Sequence, residues 1–349
     1  MKSRRMSVFL LCIGILVLLT GIAVCGRGET DTEASRIAIK ILILPKFEIG
    51  ELKGDVPGEA QFYYERYMDG AESYDIPGDS DESPLYVKDG VGLYLVGMGK
   101  TMAALNTMAL LSDARFDFSN AWILSTGCAG SAKEYGVMGD VFLITAAVDY
   151  DLGHHADIRE MSDQTSATWF YDAEYDAEAV FRLNPELMDK TYALVKDLPM
   201  ETTERTRNYM SAAFDGAEWA IRDPCVLRGT TITGDNYWKG EYDHINALKK
   251  VREYDCADPY ATTEMEDVAV CAAVRRMGLL DRLIILRDSV NMDVFMLGAT
   301  PESLWGQGAE ETSLASENSV EAADIFVTAM HNNYMVGSTI IDAILDGSF

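Results

Sequence analysis

Residues 121–130 read AWILSTGCAG, and this stretch decides the fold class of the chain. Its first six residues are mostly apolar and predict a buried strand, while Gly127–Gly130 predict a glycine-rich corner at the carboxyl end of that strand. A similar order precedes it, because the predicted strand Val91–Val96 leads through Gly97–Gly99 into a helix with apolar positions over Met102–Leu111. Strand, glycine turn, helix and strand in succession are typical of an α/β sheet covered on both faces.

The rest of the chain continues this alternation. Further strands are predicted at Ile37–Leu44, Val141–Val148, Cys225–Thr233 and Leu283–Arg287. Helices are predicted around Glu59–Tyr67 (within a long loop, Asp55–Ser83) and at Pro185–Lys196, Thr263–Met277 and Val320–Leu345. No repeat, low-complexity tract or linker interrupts the pattern, so residues 37–349 are predicted to form one α/β domain.

The amino terminus has the pattern of an export signal. Met1–Arg5 carries three positive charges, Met6–Val24 carries none, and Cys25 follows. The pattern predicts a lipoprotein-type signal peptide over residues 1–24, lipidation at Cys25, a tether over residues 25–36, and a place in the cell envelope or periplasm. Val24 departs from the small residue that normally precedes a lipidated cysteine. The alternative is a single uncleaved membrane anchor, since the apolar run is just long enough to span a bilayer.

Composition excludes several classes of function. The chain has 56 acidic and 29 basic residues, with a net charge of −27, which disfavours binding to nucleic acid. A single apolar segment cannot line a pore, so the chain is not itself a channel or carrier. Its cysteines and histidines show no metal-ligand spacing, so neither a metal nor an organic cofactor is predicted. The four cysteines after the signal permit either disulfides or buried thiols.

Polar motifs follow several predicted strands, where ligands of α/β sheets collect. The corners at Gly97–Gly99, Gly127–Gly130 and Gly139-Asp140 would let backbone amides approach a ligand, or they are simple tight turns. Tyr237-Trp238 lies on a predicted loop, where aromatic faces can stack on a base.

Thr263–Asp267, with the sequence TEMED, is predicted to begin a helix. Its acids either cap the helix dipole or accept hydrogen bonds from vicinal sugar hydroxyls beside the soft thioether of Met265. The stretch 287–293, RDSVNMD, brings further polar groups to the end of the strand at Leu283.

Together these motifs resemble the purine nucleoside permease family within the nucleoside phosphorylase superfamily. Ala129-Gly130 and Gly139-Asp140 match the glycine corner of the superfamily, and Glu264-Met265-Glu266 matches its ribose motif. The closer resemblance to the permease family covers most of residues 38–310. It rests on Gly54–Gln61, Ser125–Gly130, Asp157–Glu160, Gly234–Gly240, Met265–Asp267 and Arg287–Asp293. The resemblance implies a nucleoside phosphorylase-like domain with a mixed central sheet flanked by helices.

The resemblance also implies roles for individual residues. The substrate-binding residues would be Ala129, Gly130, Tyr237, Trp238, Met265 and Glu266, with the ribose on Met265 and Glu266 and the base against the two aromatic rings. Asn291 would face the leaving purine near N7. Hydrolytic relatives have an aspartate there, and because an amide cannot deliver a proton, Asp235 and Asp288 are further candidates for the acid.

The side of the site that holds phosphate or water is expected near four positions, Gly99, Lys46, Glu48 and Arg159, with Glu59 as a further catalytic candidate. An arginine–lysine pair would favour phosphate, and a lone carboxylate would favour an activated water.

The implied function is purine nucleoside handling at the cell envelope, with cleavage of the N-glycosidic bond by phosphorolysis or hydrolysis linked to nucleoside uptake. Phosphate would then be a co-substrate rather than a cofactor. The alternative is a non-catalytic nucleoside-binding component that serves a separate transporter. Membrane attachment through the amino terminus and an oligomeric assembly are compatible with both interpretations.

Overall fold

Within the part of the chain that the structure describes, the strands form a ten-stranded mixed sheet and two short two-stranded sheets. The computed structural model describes residues 36–78, 83–305 and 320–349, and Arg36–Phe349 form one compact unit. Cys25 and the predicted signal peptide lie outside the described residues. Within the described ranges, no helix combines the length and the apolar character that crossing a membrane requires.

The elements of the described residues are numbered here in chain order. The strands are β1 (Ile37–Ala38), β2 (Ile41–Leu44), β3 (Glu72–Tyr74), β4 (Leu85–Lys88), β5 (Val91–Leu93), β6 (Phe116–Asp117), β7 (Trp122–Ser131), β8 (Val141–Asp149), β9 (His154–His155), β10 (Trp169–Phe170), β11 (Val180–Arg182), β12 (Val226–Thr233), β13 (Tyr260–Glu264) and β14 (Leu283–Met292). The α-helices are α1 (Gln61–Tyr67), α2 (Lys100–Leu111), α3 (Asp176–Ala179), α4 (Pro185–Val195), α5 (Glu204–Ala213), α6 (Glu241–Glu253), α7 (Asp267–Arg276), α8 (Pro301–Trp305) and α9 (Val320–Asp346).

The large sheet has the strand order β11-β8-β12-β13-β7-β2-β5-β4-β3, and β14 pairs with both β7 and β8. β14 runs parallel to β7 and antiparallel to β8, while β13 crosses the end of β7 in the antiparallel sense. The strands β7, β14, β8, β12 and β13 therefore pair in a closed ring. The carboxyl ends of β2, β7, β13 and β14 converge at one place.

Packing explains why the strands have their sequences. All four residues of β2 are buried, as a continuous apolar run requires when both faces of a sheet are covered. Helix α2 packs on α7, and α9 packs on β14 and β7. Helix α4 begins where the side chain of Asn184 accepts hydrogen bonds from the amides of Glu186 and Leu187.

The predicted α/β class is confirmed, but several predicted boundaries are wrong, among them the end of the strand from Leu283, which runs to Met292 rather than Arg287. β7 does not end at Gly127, because it continues through the glycines to Ser131 and pairs with β14 over this length. The predicted helix from Thr263 is a strand up to Glu264 and a helix only from Asp267. The predicted loop between Asp55 and Ser83 also contains β3, which pairs with β4.

The glycines of β7 serve close approach rather than a turn. A Cβ atom on Gly127 would lie 2.6 Å from Glu59 Oε1 and 2.9 Å from Arg287 Nη1. A Cβ atom on Gly130 would lie 2.6 Å from Asn291 Oδ1. Side chains at these two positions would therefore displace polar groups that face the convergent strand ends. Gly99, in contrast, does form a corner, with a φ of 82° before α2.

Candidate active site

A cavity of about 190 Å³ opens where β2, β7, β13 and β14 converge. The cavity is lined by eight of the residues predicted for the site: Lys46, Glu59, Ala129, Gly130, Tyr237, Met265, Glu266 and Asn291. These residues come from distant parts of the chain, and the strand ends bring them together. The rule that ligands of an α/β sheet collect at strand ends therefore located the cavity.

Arg287 forms the base of the cavity and binds three carboxylates. Its Nε donates to Asp267 Oδ2 at 2.8 Å, and its Nη2 donates to Glu264 Oε2 at 2.8 Å. The same Nη2 lies 3.2 Å from Glu266 Oε2. All four side chains are buried, so this network is well shielded from water. It fixes the start of α7 against β14.

Glu266 lies at the cavity wall with both oxygens oriented. Its Oε1 accepts a hydrogen bond from the Gly99 amide at 2.9 Å, and its Oε2 faces Arg287. The residue itself is bound by Glu264, whose Oε2 accepts from the Glu266 amide at 2.7 Å. A carboxylate held in this way, beside Met265, presents remaining lone pairs to a ligand in the cavity.

Glu59 is a buried carboxylate that reaches the cavity beside β7. Its Oε1 accepts from the Cys128 amide at 2.8 Å, and its Oε2 accepts from the Lys46 amide at 2.7 Å. Burial raises the pKa of Glu59, although the nearby Arg287 and Lys46 cations oppose that shift. The side chain is thus held in one place and is more basic than an ordinary glutamate.

Asn291 and Tyr237 form a polar pair at another part of the wall. Asn291 Nδ2 donates to the Tyr237 hydroxyl at 2.8 Å. Asn291 lies directly over Gly130, and Tyr237 is half-exposed at the mouth of the cavity. The Asn291–Tyr237 pair and Glu59 are thus polar groups that face a molecule bound in the cavity.

The sequence pattern of the family described as "Purine nucleoside permease (NUP)" matches residues 38–348. The chain belongs to this family. A Schizosaccharomyces pombe protein named as a probable purine nucleoside permease is 26% identical over 274 residues, which cover 72% of this chain and 74% of the relative.

Solved structures show the fold that this purine nucleoside permease family member adopts. The 5′-methylthioadenosine/S-adenosylhomocysteine nucleosidase of Neisseria meningitidis matches with a TM-score of 0.50 at 16% identity, over 87% of this chain and 99% of the nucleosidase. The corresponding nucleosidase of Streptococcus pneumoniae matches with a TM-score of 0.51 at 15% identity, over 87% and 100%. The mixed α/β, nucleoside phosphorylase-like fold implied by the sequence resemblance is confirmed.

Two residues of the aromatic loop in this family member do not reach the cavity, contrary to the prediction. Trp238 is buried and stacks on Tyr150, with ring centroids 5.3 Å apart. Asp235 accepts a hydrogen bond from the Lys100 amide at 2.8 Å and so holds the start of α2. Of the two adjacent aromatic residues, Tyr237 alone lines the cavity.

Three further expected site residues also lie elsewhere. Glu48 accepts hydrogen bonds from the amides of Ala60 and Gln61 and so caps α1. Arg159 is exposed and paired with Asp157. Asp288, the other candidate acid, is fully buried and accepts from Asn333 Nδ2 of α9 at 2.7 Å. None of the three lines the cavity.

Two of the predicted glycine corners, at Gly99 and at Gly139-Asp140, lie outside the cavity lining. Gly99 does not line the cavity, and it contacts the site through the hydrogen bond that its backbone amide donates to Glu266 Oε1. Gly139-Asp140 precedes β8 instead of following a strand, and the Asp140 carboxylate accepts from the amides of Val137 and Cys225. This corner therefore stabilises the start of β8, where the backbones of Gly139 and Asp140 bond to Ser289 of β14.

Some residues of the cavity were not predicted as part of the site. Arg287 was noted only as the start of a polar stretch, and its position within β14 gave no sign that it binds three carboxylates. Other cavity residues outside the predicted set are Phe47, Met98, Cys128, Thr263, Glu264 and Val290. Phe47 and Met98 follow β2 and β5, and the other four lie in the carboxyl-terminal halves of β7, β13 and β14. Cys128, Cys225, Cys256 and Cys271 are free thiols in the structure.

Proposed function

We propose that this purine nucleoside permease family member hydrolyses the N-glycosidic bond of purine nucleosides. The observation that carries the proposal is Glu59, a buried carboxylate of raised pKa fixed by two backbone amides at the cavity. A carboxylate of this kind can accept a proton from water as the water attacks the anomeric carbon. The nucleoside phosphorylase-like fold of the nucleosidases, together with membership of the purine nucleoside permease family, supports the choice of substrate class.

The cations of the cavity favour water over phosphate as the nucleophile. Lys46 Nζ donates to Leu44 O at 3.0 Å and to Ser125 Oγ at 2.6 Å. Arg287 is bound by carboxylates on several sides. A phosphate dianion would have to displace these partners and lie beside Glu59 and Glu266, which carry the same charge sign. Hydrolysis makes no such demand.

We assign the parts of the nucleoside to different walls of the cavity. Glu266 and Met265 would hold the ribose, Glu59 would activate water at the anomeric carbon, and Asn291 with Tyr237 would face the purine. As the C1′–N9 bond breaks, the sugar gains oxocarbenium character and the bond's electron pair moves into the purine. The surrounding carboxylates stabilise the positive charge that develops on the sugar.

A product assay tests the function directly. Purified protein without residues 1–24 is incubated with adenosine, guanosine and inosine, each with and without phosphate. Hydrolysis predicts free base and ribose without phosphate. Ribose 1-phosphate would instead establish phosphorolysis, and tight binding without any product would establish the non-catalytic alternative, a nucleoside-binding component of transport.

Glu266 gives the first prediction from this assignment. We expect Glu266→Gln to weaken nucleoside binding by about tenfold or more, because a charge-assisted hydrogen bond contributes roughly 1.5–3 kcal/mol. Isothermal titration with a nucleoside and its 2′-deoxy analogue measures the effect. The unmodified protein should discriminate strongly against the deoxy analogue, and the variant should hardly discriminate. Equal discrimination by both proteins would place Glu266 away from the sugar.

We also propose that nucleosides are handled at the cell envelope, as the amino-terminal pattern predicts. The predicted lipid anchor gives a simple expectation, since Cys25→Ser removes the thiol that would carry the lipid. Fractionation should then find the variant either released from the membrane or retained as uncleaved precursor. An unchanged distribution with normal processing would indicate that Cys25 is not lipidated.

A further inference from the structure

Asp293 is a buried carboxylate that follows β14, two residues after Asn291, and does not line the cavity. Both of its oxygens have partners. Oδ1 accepts a hydrogen bond from the Lys133 amide at 3.1 Å, while Oδ2 accepts from the Tyr260 hydroxyl group at 2.8 Å and lies 2.6 Å from His244 Nδ1. A carboxylate oxygen accepts and does not donate, so His244 Nδ1 carries the proton in this contact. The proposed hydrolysis assigns no role to this network.

The network joins the two segments that form the purine-facing wall, which consists of Asn291 and Tyr237. Asn291 belongs to β14, and Tyr237 belongs to the loop between β12 and α6. That loop passes directly into α6, whose first turn carries His244. At the end of the loop, the Gly240 amide donates to Asp293 O at 2.7 Å. The backbone and the side chain of Asp293 therefore both hold the loop and its helix against the end of β14.

The Asp293–His244 pair is shielded from water, and the purine-facing wall is not. Asp293 is 1% exposed and His244 is 6% exposed, whereas Tyr237 is 48% exposed. A hydrogen bond from a ring N–H to a buried carboxylate is short and strong. The bond between Asn291 and Tyr237, in contrast, competes with water at the mouth of the cavity. The places of Asn291 and Tyr237 therefore depend on the buried groups that hold their two segments together.

The loop that carries Tyr237 is also fixed against another strand. The buried Trp238 ring stacks on Tyr150, which follows β8, with ring centroids 5.3 Å apart. This contact sets the loop against β8 and does not determine its distance from β14. The contacts of Asp293 supply that second constraint.

We propose that Asp293 and His244 are positioning residues for the purine-facing wall. Their pair holds the loop against the end of β14 and thereby fixes where Asn291 and Tyr237 meet the leaving purine. This inference rests on the proposed hydrolysis. As the C1′–N9 bond breaks, its electron pair enters the purine, and polar groups stabilise that charge best when they are already in place. A misplacement of about 1 Å can lower the rate by on the order of 10²-fold.

His244→Phe tests the proposal, because it keeps a buried ring and removes the hydrogen bond to Asp293. Two substrates are compared: the purine nucleoside that the unmodified protein cleaves fastest, and 4-nitrophenyl β-D-ribofuranoside. Nitrophenolate is a stable anion, so it leaves without help from the purine-facing wall. With the purine nucleoside, kcat should fall by about 10²-fold with a smaller change in KM. With the nitrophenyl riboside, kcat should stay within a few-fold of that of the unmodified protein.

His244→Asn is the rescue variant. The N–H nitrogen of asparagine is bonded to Cγ, as Nδ1 of histidine is, so the hydrogen bond to Asp293 can be kept. Purine nucleoside cleavage by His244→Asn should therefore stay within a few-fold of the unmodified rate. His244→Gln moves the N–H a bond farther from the backbone and should lose this activity as His244→Phe does. His244→Gln replaces His244→Phe in the comparison if the phenylalanine variant does not fold.

Asn332→Leu is the matched control for lost buried hydrogen bonds. Asn332 is buried on α9, where its Nδ2 donates to Gly139 O at 2.8 Å and to Glu201 O at 2.9 Å, and it does not line the cavity. The control should lower the temperature of thermal unfolding and leave the ratio of the two cleavage rates unchanged. A changed ratio in Asn332→Leu would overturn the proposal, since any loss of packing would then produce the effect.

The remaining outcomes separate the positioning role from the hydrolysis itself. Equal losses on both substrates in His244→Phe would overturn the positioning role and leave hydrolysis standing. Equal purine nucleoside rates in His244→Phe and His244→Asn would do the same, and that comparison needs no nitrophenyl riboside. If the unmodified protein cleaves none of adenosine, guanosine and inosine, the proposed hydrolysis fails and the positioning role fails with it.

Discussion

Glu59→Gln should lower the turnover of purine nucleosides by about 10²–10⁴-fold, the usual contribution of a general base. Glutamine preserves the shape of the side chain and can still accept one backbone hydrogen bond, but it cannot take a proton from water. Nucleoside binding, measured by titration, should change far less than kcat. Glu65→Gln is the matched control, because Glu65 is an exposed carboxylate of α1, the helix that begins two residues after Glu59, and does not line the cavity.

The pH dependence of kcat/KM gives a second test of Glu59 as the general base. The carboxylate form is the active base, so kcat/KM should fall as pH falls through the pKa of Glu59. Because burial raises this pKa, the decline should begin at a higher pH than an ordinary glutamate would give. Glu59→Gln should remove this limb of the profile. If the limb persists in the variant, another group activates the water.

Arg287→Met should be the most destabilising single change in the site. Arg287 pairs with Glu264, Glu266 and Asp267, all of them buried. Among the described residues, its loss would leave only Lys46, whose Nζ lies 3.9 Å from Asp267 Oδ1, to balance these charges. Breaking a buried ion pair by removing one partner costs about 3–5 kcal/mol, so the free energy of unfolding in urea should fall by at least that amount. Methionine roughly fills the space, so the loss reports charge rather than a cavity.

Two comparisons check the interpretation of Arg287→Met. Arg276→Met removes an exposed arginine from the end of α7 and should cost less than about 1 kcal/mol. The loss of unfolding free energy caused by Arg287→Met should also become smaller as pH falls, because protonation relieves repulsion among the unpaired carboxylates. If the free energy of unfolding falls only slightly, and by the same amount at every pH, then other groups compensate the charge of the three carboxylates.

The sequence predicted those features that depend on local pattern. The continuous apolar runs correspond to β2 and β8. Asn291 was expected at a strand end and Glu266 was assigned by the family resemblance, and the structure brings both to one cavity with Glu59. The course of β7 could not be predicted in this way, because glycine signals a turn and a close approach equally well. Only the positions of Glu59 and Asn291 in space distinguish these two uses.

Adjacent residues on loops were the main source of error. Tyr237 and Trp238 have similar chemistry, and nothing in their spacing shows which ring faces Tyr150 and which faces the cavity. Glu48 and Glu59 both follow β2, but the first caps a helix and the second reaches the site. Helix α5 was not predicted because it contains few apolar residues, and of its three buried residues, Thr206, Met210 and Ala213, only Met210 is strongly apolar.

The closed ring of strands has a consequence for how the protein is made. Arg287 of β14 bonds to Cys128 of β7, which lies 159 residues earlier in the chain. Closing so long a stretch costs entropy before any pairing energy is gained, which slows folding. During synthesis, one edge of β7 stays unpaired until the ribosome has made β14. Unpaired strand edges promote aggregation. A chain with this topology therefore depends on being kept unfolded, or shielded, until its last third is available.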